Sequence, residues 1–211
     1  MHDSPKGGAH APGMGRLLLV VMVGLAAGGC ALGTNHVLLP ATLTPEMPAT
    51  GSLLAVRVKD SRTDLSGAQV GFKRNGWGAR TGSVELANSE PVAHRLGQDL
   101  VAISRAKGFR ASTGEPAPQG PADVILDADI SGFLVDAKIG WTITLESLAV
   151  VKVAMVDART QQPLWSDVVR VDGRRPDVYV VVGSDYQQMV EDLYARLVSA
   201  LRAAVPAVVP R

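Results

Sequence analysis

Side chains able to carry a reaction are few and scattered in this sequence. Of four histidines, His2 and His10 fall in the N-terminal segment and His36 in a proline-punctuated stretch, which leaves His94 alone in the body of the chain. His94 stands two positions after Val92, off the apolar stripe of its helix, where a solvated imidazole is the expectation rather than a general base. No serine occupies a Gly-x-Ser-x-Gly elbow, and Gly183-Ser184-Asp185 suits the start of a helix. Gly76-x-Gly78 lacks the later glycine and the preceding strand of a dinucleotide loop. Asp127 and Asp129, two apart on a strand, point to one side. They would hold a divalent cation or act as acid and base, or else serve as charges on a solvent-facing or edge strand that resists pairing with another chain. Lys73, Arg74, Trp77 and Arg80 lie together in a glycine-rich stretch. Arginine and tryptophan are the residues that anchor interfaces, so one reading is a partner-binding loop, whose basic groups could also meet anionic lipid or polysaccharide. The other is that Trp77 covers the sheet edge while the charges stay in water. The expectation is a chain with no catalytic residues, no metal site and no cofactor.

Cys30 is the only cysteine, which excludes an intramolecular disulfide and every multi-cysteine metal site. Its surroundings give it a different chemistry. After Lys6 and Arg16 comes the apolar run Leu17–Ala27, 11 residues, then Gly28, Gly29 and Cys30. Such a run fits the roughly 7–15 residues of a secretory h-region and falls short of the roughly 20 of a spanning helix. A basic start, a short apolar run and small residues before cysteine resemble a bacterial lipoprotein signal with its lipobox, with Ala27 where that signal more often has leucine. The resemblance implies cleavage between Gly29 and Cys30, a diacylglycerol on the thiol and an acyl chain on the new amino group. Several chains at about 0.8 kcal/mol per buried methylene anchor stably where one would not. The alternative is an ordinary signal peptide with a spare cysteine. Met14 is a second candidate start. Ala31, not aspartate, follows the cysteine, which in enteric-type sorting implies delivery to the outer membrane, facing the periplasm.

The positioning elements follow from periodicity. Residues 30–51, with Pro40, Pro45 and Pro48, read as the lipidated cysteine and a tether; 52–206 as a periplasmic domain; 207–211 as a tail. Leu54, Val56 and Val58 alternate as a strand. Residues 61–83 read as a long polar loop or irregular hairpin, with short strands at Val70–Lys73 and Ser83–Leu86. Ser89 is the expected N-cap of a helix whose stripe is Val92, Leu96, Leu100 and Ile103, closing on Lys107-Gly108. Val124–Ile130, Thr142–Val156 and Leu164–Val171 read as three antiparallel strands, with a turn at 157–162. Ser184 or Asp185 caps a last helix with Met189, Val190, Leu193, Leu197 and Leu201 on one side, stopped by Pro206. The expected fold class is α+β. It would be a two-layer domain with a largely antiparallel sheet of four to five strands, two amphipathic helices on one face, and order β-α-β-β-β-α.

Composition narrows the partners. The chain has 211 residues, 46% hydrophobic and 4% aromatic, with net charge +1. Removing residues 1–29 takes away Lys6, Arg16 and Asp3 and leaves 182 residues with 19 basic and 19 acidic side chains. A neutral domain does not suit nucleic acid, which demands a basic surplus.

Several segments together resemble the YajG family of uncharacterised bacterial outer-membrane lipoproteins. They are the lipobox, the tether, the strand ending Val58-Lys59-Asp60-Ser61-Arg62, the loop Gly71-Phe72-Lys73-Arg74-Asn75-Gly76, the helix closing on Gly108-Phe109, the Ala122-Asp123-Val124 strand start, the long hairpin and the closing helix. The resemblance implies membrane anchoring through the acylated Cys30, a periplasmic domain and no established activity. The expectation is thus a non-enzymatic envelope component, binding or structural, with an envelope protein or lipid as partner. The same element order recurs in auxiliary lipoproteins of lipid and lipopolysaccharide transport, which is the alternative.

Overall fold

The structure is a computed structural model and describes residues 33–40, 43–44, 51–65, 67–75, 77–113, 122–139, 142–178 and 181–207. In chain order the elements are β1 (Asn35–Val37), β2 (Leu53–Asp60), β3 (Gln69–Arg74), β4 (Arg80–Leu86), a 3-10 turn (Ala87–Ser89), α1 (Val92–Ala106), β5 (Arg110–Thr113), β6 (Val124–Ile139), β7 (Ile143–Asp157), β8 (Pro163–Val178) and α2 (Gly183–Ala204).

The expected four- to five-stranded, largely antiparallel sheet under two helices is corrected. All eight strands join one curled, mixed sheet that forms a half barrel around a single core. Its organiser is β6. Along one edge it pairs antiparallel with β7 over its whole length, and β7 pairs antiparallel with β8. Its other edge is shared. The first half pairs parallel with β2, which pairs parallel with β5; near Val135 it pairs parallel with β3, which continues through β4 to β1. Parallel neighbours are distant in sequence and carry no local turn signal, which is why alternation alone undercounts the sheet.

The change of partner on β6 coincides with a bulge. Ile130 lies opposite Val151 and Gly132 opposite Val150, leaving Ser131 as the extra residue. One extra residue reverses the side-chain phase. Leu126, Ala128 and Ile130 are buried before it, Phe133, Val135 and Ala137 after it. Close approach is needed too: a Cβ on Gly71 would meet the Val135 carbonyl oxygen across the β3–β6 contact.

Both helices bury the stripes expected of them. Val92, Leu96, Leu100 and Ile103 of α1 and Met189, Val190, Leu193, Leu197 and Leu201 of α2 join the core. Their caps differ from expectation. Pro91 is the N-cap of α1 and Ser89 sits in the 3-10 turn at φ 54°, while Gly108 takes the left-handed conformation after the helix at φ 98°. Val182 precedes α2, and its N–H donates to Asp185 Oδ2 at 2.9 Å. Between the helices, Tyr194 Oη donates to buried Asp99 at 2.5 Å, and Asp99 also accepts from Leu43 N at 2.9 Å. The residues expected as a tether are partly held here: Val37 is buried, β1 pairs with β4, and Gln187 exchanges two 2.8 Å hydrogen bonds with the Leu38 backbone. Cys30, Gly29 and the rest of the N-terminal segment lie outside the described residues, as does Trp141.

Candidate functional site: the β3–β4 hairpin

The glycine-rich stretch folds as a hairpin whose end is built by Asn75. Its side-chain Oδ1 accepts from the Trp77 and Ala79 backbone N–H groups, each at 3.0 Å. Its own N–H donates to Ala79 O at 3.0 Å, and its carbonyl accepts from Gly78 N at 2.9 Å. Asparagine suits this work because its short amide reaches backbone groups two and four residues on. Gly78 supplies the positive φ, 80°.

The four candidate side chains have four different fates. Arg74 leaves the tip and meets Asp136 of β6 in a two-pronged pair, Nε to Oδ1 at 2.7 Å and Nη2 to Oδ2 at 2.5 Å, while its Nη1 donates to Gly78 O at 2.8 Å. Hydrogen bonding to Asp136 raises its already high pKa further, against the opposing effect of burial. Lys73 is buried, at 7% exposure, and its Nζ donates to Asn35 Oδ1 at 3.3 Å. Arg80 is exposed and its guanidinium lies over the Phe72 ring, with Cζ 3.7 Å from the centroid. Trp77 is 92% exposed. It therefore covers no sheet edge, and Lys73 and Arg74 are not simply solvated. Lys73 and Arg74 fix the hairpin to the body; Trp77 and Arg80 are presented outward.

The remaining sequence candidates resolve into ordinary structure. His94 is exposed and pairs with Glu90, one helical turn away, at 3.0 Å. Asp127 and Asp129 do share one side of β6, but β6 is central, not an edge. Arg57 lies opposite Asp127, and Lys59 and Lys152 flank Asp129, lining a depression of about 400 Å³. Opposite charges across strands stabilise a sheet and suffice to explain the pattern. Among the described residues, no three His, Cys, Asp or Glu side chains are grouped to hold a metal ion. No helix among them is long and apolar enough to cross a membrane.

Two residues that organise this region were not singled out by sequence reasoning. Asp136 fixes Arg74, and Asn75 builds the tip. The signal for Asn75 was present as an Asn-Gly dipeptide between two β-prone stretches.

No family model matches the chain, and no curated protein matches it. Similar solved structures include a Xanthomonas campestris protein, XCC0632, of family model DUF330. It has 17% identity and a TM-score of 0.49 over 81% of this chain and 95% of that one. An uncharacterized protein has 15% identity and a TM-score of 0.48 over 82% and 97%. The lipoprotein GNA1162 from Neisseria meningitidis has 17% identity and a TM-score of 0.37 over 73% and 95%.

Proposed function

We propose that this chain is an acylated envelope protein of a Gram-negative bacterium, cut before Cys30 and held by it to the outer membrane. Its domain faces the periplasm and works by binding or by structural support, not by catalysis. The observation that carries the reading is the run Leu17–Ala27 ending in Gly28-Gly29-Cys30. In this reading Cys30 is the functional residue, and its function is attachment. The outward-facing Trp77 and Arg80 support a binding role, because tryptophan and arginine are the residue types enriched where interfaces are anchored. Membrane fractionation of wild type and Cys30→Ala tests the proposal. The wild type should sediment with outer membranes and the variant should appear in the periplasmic fraction. Equal membrane association of the two would refute acylation.

A further inference from the structure

We propose that the β3–β4 hairpin tip touches the surface of the same bilayer that holds acylated Cys30, with the Trp77 indole at the hydrocarbon–water boundary and Arg80 among the lipid phosphates. The inference rests on the acylation of Cys30 proposed above and adds an orientation to it.

Three observations converge. The first is placement. β1 runs parallel to β4 with Asn35 opposite Val84, Thr34 Oγ1 lies 3.1 Å from Ser83 Oγ, and the Gly33 backbone lies where a Cβ on Gly82 would sit. Traced backwards from Asn35, the chain therefore heads along β4 toward Arg80 and the hairpin tip. Cys30 is three residues before Gly33, and three residues span at most about 11 Å. Acylation of Cys30 would therefore put the anchor at the tip's end of the sheet.

The second is chemistry. Tryptophan combines a large apolar ring with one N–H donor, the combination enriched where hydrocarbon meets water. Trp77 is 92% exposed, and its backbone is pinned by Asn75. Beside it, the Arg80 guanidinium rests on Phe72 and presents a cation suited to phosphate. The third is shape. Tryptophan hot spots at protein interfaces cluster near the centre of the contact, ringed by other residues that exclude water. Trp77 instead stands at a narrow tip with Gly78 and Ala79 beside it, and among the described residues the other large exposed apolar side chains, Leu38, Val168 and Val182, lie on other elements. A fluid lipid surface accepts a single protruding indole, whereas a protein partner would need a matching pocket.

The test uses the full-length acylated protein, purified from membranes and reconstituted into phosphatidylethanolamine–phosphatidylglycerol vesicles with and without phosphatidylcholine brominated in its acyl chains. Trp77→Phe serves as the reference, so Trp141 and Trp165 cancel in the difference. Vesicle flotation reports the anchor, and the difference emission reports Trp77. The expected result is flotation of both proteins, with a Trp77 emission that is shifted to the blue and lost to bromine. Flotation with an unshifted, unquenched Trp77 would overturn the contact and leave the anchor standing, and it is the result expected if a protein or a second copy is the occupant. Failure to float would remove the anchor and the contact together.

Discussion

The Arg62 guanidinium closes on the Asp60 carboxylate through two hydrogen bonds, Nε to Oδ1 at 2.8 Å and Nη2 to Oδ2 at 2.6 Å. Its remaining donors reach Gln69 O at 2.7 Å, Gly67 O at 2.9 Å and Phe133 O at 3.2 Å. The pair sits where β6 exchanges β2 for β3, and the guanidinium donates to backbone carbonyls of β3, of the turn before it and of β6. Only a planar fork of five donors can serve that many directions at once.

Replacing Arg62 by lysine should therefore be far from conservative. Loss of roughly 2 kcal/mol is expected, read as a lower urea midpoint, because a half-buried carboxylate loses its two-pronged partner and the carbonyls of Gln69 and Phe133 lose a donor. A midpoint within experimental error of wild type would show that water replaces the guanidinium. The same pair sets an acid dependence. Burial works to raise the Asp60 pKa, but hydrogen bonding and charge from Arg62 outweigh it and hold the carboxyl below its ordinary value of 3.8. A depressed folded-state pKa contributes stability above the unfolded value, and the contribution is lost as pH falls through the folded one. Midpoints measured from about pH 6 down to about pH 2.5 should fall more steeply below pH 3.8 for wild type than for Arg62→Met.

Asp99 and Tyr194 give a second pair whose variants should be unequal. Asp99→Ala strands the Tyr194 hydroxyl and the Leu43 N–H, and about 3 kcal/mol of destabilisation is expected; Tyr194→Phe keeps the ring and should cost about 1 kcal/mol. Equal midpoint shifts would mean that the carboxylate matters only through the tyrosine. Both core tyrosines also predict alkaline sensitivity. Burial, reinforced by Asp136, pushes Tyr186 up to about 12, and burial together with Asp99 pushes Tyr194 higher still. For an acid whose folded pKa is raised, stability is full below the unfolded value of 10.0 and declines as pH rises beyond it. Thermal melts above pH 10 should show the decline, and Tyr194→Phe should flatten it.

The hairpin separates stability from contact. Arg74→Ala frees the tip from β6 and should cost about 2 kcal/mol, whereas Trp77→Ala should fall within about 0.5 kcal/mol of wild type. A large stability loss on removing Trp77 would mean that the indole packs after all.

Gly71 should tolerate no side chain. Alanine there would drive its Cβ onto the Val135 carbonyl oxygen, where backbone and not a mobile side chain must give way. Gly71→Ala should lower the melting temperature sharply. Gly97→Ala makes only ordinary contacts, with Val58 and Thr113, and should stabilise or be neutral. The reverse order would contradict the β3–β6 pairing.

What could be read in the sequence divides along a physical line. Leu54, Val56 and Val58, the stripe ending at Ile103, and the alternation through Val151 and Val153 are local patterns, and local patterns identify elements. The pairing of Gly71 with Val135, or of Asn35 with Val84, is a relation between distant segments with no periodic signature of its own. The extra residue at Ser131 further disguised β6 by reversing the alternation halfway. At the candidate site, residue types singled out the stretch as a whole, but only the fold separates Arg74, committed to Asp136, from Trp77, left exposed.

The way the first described residues are fastened has a mechanical consequence. Behind β1 come the Gln187 clasp on Leu38, the Arg95 hydrogen bond to Pro40 O and the Asp99 bond to Leu43. Tension applied ahead of Gly33 runs lengthwise along β1, so its hydrogen bonds to β4 are loaded together, in shear, rather than peeled one at a time. A tug on the chain ahead of Gly33 would be felt first by β4 and the hairpin it belongs to.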